Sequence, residues 1–151
     1  MWQGKFLELV YRMDSSWVFD AQTKIYSRLK ALCESKLKAT YPDITITMDS
    51  HVPTTPKFPN VYMHFLPPVE TGNDLVGQDI NAVYLTAQVE VTVENAQGMM
   101  VANEVSTVVA DCMKEMRFVA TLPEFVDTDT EYRTVSRYAR TLGQGDTLYD
   151  T

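Results

Sequence analysis

The chain has 151 residues, a formal net charge of -7, and 45% hydrophobic and 22% charged residues. That length suits one domain able to bury roughly two-thirds of its unfolded surface. The acidic balance argues against a basic nucleic-acid binder and against an anionic membrane surface, and no apolar run reaches the roughly 18 to 20 residues that cross a bilayer. The opening MWQGKFLELVYRMDSS lacks the cationic start, apolar core and small-residue cleavage site of a signal peptide, which points to a cytoplasm and to reduced thiols. Cys33 and Cys112 each fall in a helix-like segment, where a free Cys serves as a small core residue.

Gly4 to Met13 reads as a short helix or arm, too dense in Phe6, Leu7, Leu9, Val10 and Tyr11 for a free tail. Asp14, Ser15 and Ser16 supply candidate N-caps. Val18, Ala21, Ile25, Leu29 and Leu32 then recur at spacings of three and four, which predicts an amphipathic helix over residues 16 to 39 that Pro42 ends. Ile44, Ile46 and Met48 alternate with threonines as a short strand. Asp49 to Pro59 holds three prolines and is expected to be an extended connection, since proline cannot donate to a ladder. Asn60 to Leu66 is a second strand with Val61, Met63 and Phe65 on one face, and Val69 to Asn81 reads as a long loop.

The clearest signal is Ala82 to Glu94. Val83, Leu85, Ala87, Val89, Val91 and Val93 share one parity; Tyr84, Thr86, Gln88, Glu90, Thr92 and Glu94 share the other. Successive strand side chains point to opposite faces, so this is a long strand with one apolar and one polar side. It reads as the centre of an antiparallel sheet whose apolar face is covered. A second helix follows near 99 to 117 on Ala102, Val105, Val108, Val109, Cys112 and Met116. Its β-branched residues are weak helix formers, but burial of a periodic face outweighs propensity. Phe118 to Phe125 is irregular or a short strand, Glu131 to Leu142 is the last long strand, and Asp146 to Thr151 is a tail. The order predicts an α+β fold: a mixed, mostly antiparallel sheet of about four strands with two helices packed on one face. Residues 1–15 are set apart as the arm, and residues 16–151 form a single domain.

Little in the chain carries chemistry. The two histidines, His51 and His64, and the two cysteines show no metal-binding spacing. Neither a phosphate-binding glycine loop nor a G-x-S-x-G elbow occurs. Glu70, Asp74 and Asp79 do not match an EF-hand loop and read as solvated carboxylates. The expectation is a protein without catalysis, cofactor or metal. The last strand is less ordinary. Arg133, Arg137 and Arg140 are half of the six arginines, packed into eight residues with Tyr132 and Tyr138, and no Lys follows Lys114. Two readings stand: cross-strand pairing with Glu90 or Glu94, or a contact surface of the Arg and Tyr favoured at protein interfaces.

Three stretches carry a resemblance. Thr130 to Tyr138, TEYRTVSRY, is followed by a small-residue strand and Asp146-Thr147-Leu148-Tyr149; Pro53 to Val61 contains PKFPNV. In their order along the chain, together with the element order, they resemble the tail terminator (tail-completion) proteins of long-tailed bacteriophages over about residues 16 to 149. Residues 1–15 look like an addition, and the loop at 69–81 differs from the family pattern. The resemblance implies a homo-oligomeric ring, usually a hexamer, that caps the tail tube and stops its polymerisation. The ring would offer its other side to the head-side connector and let DNA pass through its lumen. It implies a virion protein at the head-proximal end of the tail, assembled in the host cytoplasm, with no membrane partner. Six copies at -7 each carry a formal charge of about -42, and an acidic lumen lets DNA slide without sticking. The expected subunit or partner interface comprises Arg133, Arg137, Arg140, Tyr138, Tyr84, Glu90 and Glu94. Another head–tail joining ring protein (a stopper or connector) is the alternative, with a small-molecule or peptide-binding module behind it.

Overall fold

The structure, a computed structural model, describes residues 2–48, 57–73, 80–121, 124–128 and 130–148; side chains are described from Ser16 onward, except at 72, 73 and 80. Nine elements follow one another: α1 (Trp2–Leu37), β1 (Thr45–Thr47), β2 (Asn60–Phe65), β3 (Val69–Asn73), β4 (Ile80–Glu94), α2 (Gly98–Glu115), β5 (Val119–Ala120), β6 (Glu124–Asp127) and β7 (Glu131–Gly143). Neither described helix is long and apolar enough to cross a membrane.

The long alternating stretch is the middle of the sheet. β4 pairs antiparallel with β7 over thirteen positions, from Ala82 opposite Gly143 to Glu94 opposite Glu131. On its other side β4 pairs with β2 through Ala87 to Thr92, and with β3 through Ile80 to Tyr84. β5 and β6 both line the far side of β7, and β1 closes the opposite edge by pairing parallel with β2. The sheet is therefore α+β and mixed, with seven strands rather than about four. The extra strands are short. β3 forms where a loop is expected, because Val69 and Glu70 reach the exposed flank of β4's first half. The expected loop thereby becomes one side of a hairpin, whose residues 74–79, with Asp74 and Asp79, lie outside the described residues. The connection at 49–56 lies outside them too.

The arm and the first helix are one element. Helical backbone runs from Trp2 through the candidate caps at Asp14 to Ser16 without a break. Those caps are not used, because a helix that already continues upstream has no free N–H groups there. The buried stripe of α1 is Val18, Ile25, Leu29, Cys33 and Leu37; that of α2 is Ala102, Val105, Val109, Cys112 and Met113, with Met116 just beyond. Both enter one core with Val61 and Met63 of β2 and the odd-numbered residues of β4 from Val83 to Val93.

α2 ends in a Schellman motif. The Phe118 amide donates to the Met113 carbonyl at 3.0 Å and the Arg117 amide to the Lys114 carbonyl at 2.9 Å. Arg117 takes the left-handed position with φ 66°, where glycine is usual. The motif turns Phe118 into the core beside Met113 and sends the chain onto β7's edge.

Candidate interaction surface

One face of the sheet carries the helices. On the opposite face no described helix packs, and the even-numbered residues of β4 alternate outward there. Directly paired antiparallel residues share a face, so the register assigns the rows of this bare face. Thr92 stands between Asn60 and Arg133. Glu90 stands between Tyr62 and Val135, and Gln88 between His64 and Arg137. Tyr84 stands between Val69 and Thr141.

Arginines and acids interleave across these rows. The Arg137 Nε donates to Gln88 Oε1 at 3.0 Å. The Arg133 guanidinium lies 3.7 Å from Glu90 and 3.9 Å from Glu131. Its side chain stays 42% exposed, so these pairs contribute little to folding. Glu94 and Glu131 stand directly opposite each other at the end of the ladder, a like-charge pair that the Arg133 guanidinium offsets. The Tyr62 and His64 rings, on alternate residues of β2, lie 6.1 Å apart. Apolar groups share the same face: Val69 is 60% exposed, Tyr84 45%, Val119 73% and Val126 38%. Pairing places Val119 beside Ala139 and Val126 beside Arg133. A bare sheet face with this mixture of Tyr, Arg and Val has the make-up of a protein contact surface.

Of the seven interface candidates, Arg133, Arg137, Tyr84, Glu90 and Glu94 lie on this face. Tyr138 and Arg140 do not. Tyr138 is buried at 3% exposure among the helices, and burial raises its phenol pKa. Arg140 reaches under α2 and its donors are spent within the chain. One guanidinium nitrogen binds the Met116 carbonyl at 2.7 Å and the Leu148 carbonyl at 3.5 Å. Another forms a short ion pair with Asp146. The Phe118 ring lies 6.0 Å below the cation. Asp146 also accepts the Leu148 amide at 2.7 Å, and Leu148 is buried. Arg140 therefore fastens the tail and the end of α2 to β7. The expectation that these two residues meet a partner is corrected by their parity on β7, which faces the core.

Sequence reasoning missed Tyr62, Val69, Val119 and Val126. Tyr62 was recoverable, since it alternates with Val61 and Met63. The three valines were not, because β3, β5 and β6 are too short to show a period. Burial pushes the Cys33 thiol up to about 12, with Cys112 adding to it, and the Cys112 thiol up to about 11. Both are wholly buried and protonated, which suits packing and not nucleophilic work. Among the described residues no group of three or more His, Cys, Asp or Glu could hold a metal ion.

No family model matches the chain, and no curated protein matches it. Among solved structures, one whose own name states no function aligns with 16% identity and a TM-score of 0.43, covering 75% of this chain and 92% of its own. At that score the likeness carries no argument about fold or function.

Proposed function

We propose that this chain is a structural assembly protein of a phage tail, a terminator subunit that forms a ring on the tail tube. The observation that carries the proposal is the bare face of the β2–β4–β7 sheet. It interleaves Arg133 and Arg137 with Glu90, and Tyr62 and Tyr84 with exposed valines. A sheet face of this kind gains by being covered, and a neighbouring subunit brings cations to its anions and apolar groups to its apolar groups. The YRTVSRY strand that carries the family resemblance supplies both arginines. On this reading the tube protein and the head-side connector contact the two rims of the ring, and DNA crosses the acidic lumen.

Native mass spectrometry at micromolar concentration tests the proposal. A hexamer near 103 kDa, six times the 17.2 kDa chain, is the expected species. Binding of that species to isolated tail-tube ends, and not to filled heads, separates a terminator from a stopper. A strictly monomeric protein with no affinity for tube ends overturns the reading.

A further inference from the structure

We infer that the N-terminal turns of α1, residues 2–13, dock onto a cleft at the start of α2 in the neighbouring copy, made of two shallow grooves that each lie beside one exposed methionine. The inference rests on the ring reading and names the contact that closes the ring.

The two helices run antiparallel. Arg28 of α1 lies 3.5 Å from Glu115 at the end of α2, and the Tyr41 hydroxyl donates to Glu104 near its start. From Arg28, α1 continues toward its N-terminus past the end of α2. Val18 is the first buried residue among the described side chains. Trp2 stands sixteen residues before it on the same helix, about 24 Å further along the axis. This segment, WQGKFLELVYRM, holds seven large apolar residues in twelve, and Lys5 and Arg12 outnumber Glu8 in a chain of net charge -7.

The cleft lies at the other end of α2. Gly98 opens that helix at φ 75°, a conformation that suits glycine. The turn before it is fixed: the Asn95 amide donates to the Thr130 carbonyl at 3.3 Å and the Asn95 side chain to the Thr128 carbonyl at 3.0 Å. Two methionines project from this firm base, Met99 at 54% and Met100 at 85% exposure. Beside them open two grooves, of about 480 Å³ against Met99 and Tyr132 and about 650 Å³ against Met100 and Tyr41. The Phe125 ring, 6.2 Å from Tyr132, extends the apolar surface. Asp127 borders one groove and Glu104 the other. Methionine adapts its shape to an apolar ligand, and an acidic border matches a segment rich in apolar residues with a basic excess.

Arm and cleft sit at opposite ends of the molecule, so a straight helix cannot fold back into its own cleft. The contact is heterologous, and repeating it head to tail closes a ring when the rotation allows. An arm variant, Phe6→Glu/Leu9→Glu, and a cleft variant, Met99→Glu/Met100→Glu, test this in the full chain. Circular dichroism checks folding, and native mass spectrometry reads assembly. Each variant alone is expected to stay at one chain, because the bare sheet face holds neighbours only once the arm contact has set them in place. Their equimolar mixture is expected to give a two-chain species and nothing larger, because only one intact arm and one intact cleft remain. A synthetic peptide of residues 1–15 in excess is expected to dissolve the wild-type oligomer, a readout independent of how the variants fold. Should the variants form wild-type rings and the peptide leave the oligomer intact, the arm inference fails while the ring reading stands. A mixed two-chain species beside a wild-type open filament upholds the inference and overturns the ring. Absence of both the mixed species and any wild-type oligomer overturns the two together.

Discussion

Arg137 and Arg140 stand three residues apart on β7 and meet opposite conditions. Arg137 lies on the bare face, with one hydrogen bond to Gln88 and the rest of its guanidinium toward solvent. Arg140 lies on the helix face, 10% exposed, bound to a carboxylate and three carbonyls. The same contrast holds for the whole sheet. The helix face of β4 is uniformly apolar, and its bare face is mixed. On β7 even the covered side is polar: Thr134, Ser136, Tyr138 and Arg140 face the helices. The covered face tolerates those groups only because each finds a partner, as buried polar groups must. Along most of the bare face, the row of half-buried Asn60 and buried Thr92 excepted, side chains reach solvent, so its composition is free to serve contact with another molecule.

The largest expected effect breaks the covered face at its cation. Arg140→Ala removes one member of a mostly buried pair and leaves Asp146 and the Met116 carbonyl without it. It should cost about 3–5 kcal/mol in urea unfolding, and the tail should become sensitive to carboxypeptidase. Ser106→Ala comes next. Ser106 and Thr134 share a 2.8 Å hydrogen bond, and Thr134 is 1% exposed. Leaving that hydroxyl unpaired should cost about 1–3 kcal/mol, and Ser106→Ala/Thr134→Val should recover part of it.

The buried thiols give a smaller effect, confined to alkaline pH. Their folded pKa values, about 12 for Cys33 and about 11 for Cys112, lie above the ordinary thiol value of 9.0. An acid whose pKa is raised by folding binds its proton more tightly in the native state. Its contribution is complete below pH 9 and is lost as pH rises through 11 to 12. Urea midpoints should fall across that window, and Cys33→Ala/Cys112→Ala should flatten the fall.

The smallest effect on folding is expected on the bare face. Arg137→Glu should change unfolding free energy by within about 0.5 kcal/mol, while native mass spectrometry shows the oligomer lost. If Arg137→Glu unfolds the chain, Arg137 is a structural partner as Arg140 is, and the two faces do not differ.

The sequence by itself determined the centre of the molecule. A dozen residues of strict alternation set the strand, its register parity and its apolar side, because period two has no helical counterpart of that length. It also set α2 and, through spacings of three and four, Val18, Ile25 and Leu29 of the α1 core stripe, while Ala21 and Leu32 are only partly buried and Cys33 and Leu37 complete the stripe. Tertiary structure decided the edges and the last strand. β3, β5 and β6 form because β4 and β7 offer open ladders, a cause that a strand of two to five residues does not carry within itself. On β7 both parities are polar, so the period places Arg133 and Arg137 together but does not say which face is buried. The pairing of Thr134 with Ser106, and of Arg140 with Asp146 and the end of α2, made that choice. One of the three expected arginines, Arg140, thereby became a fastening inside the fold, and the other two were left on the surface.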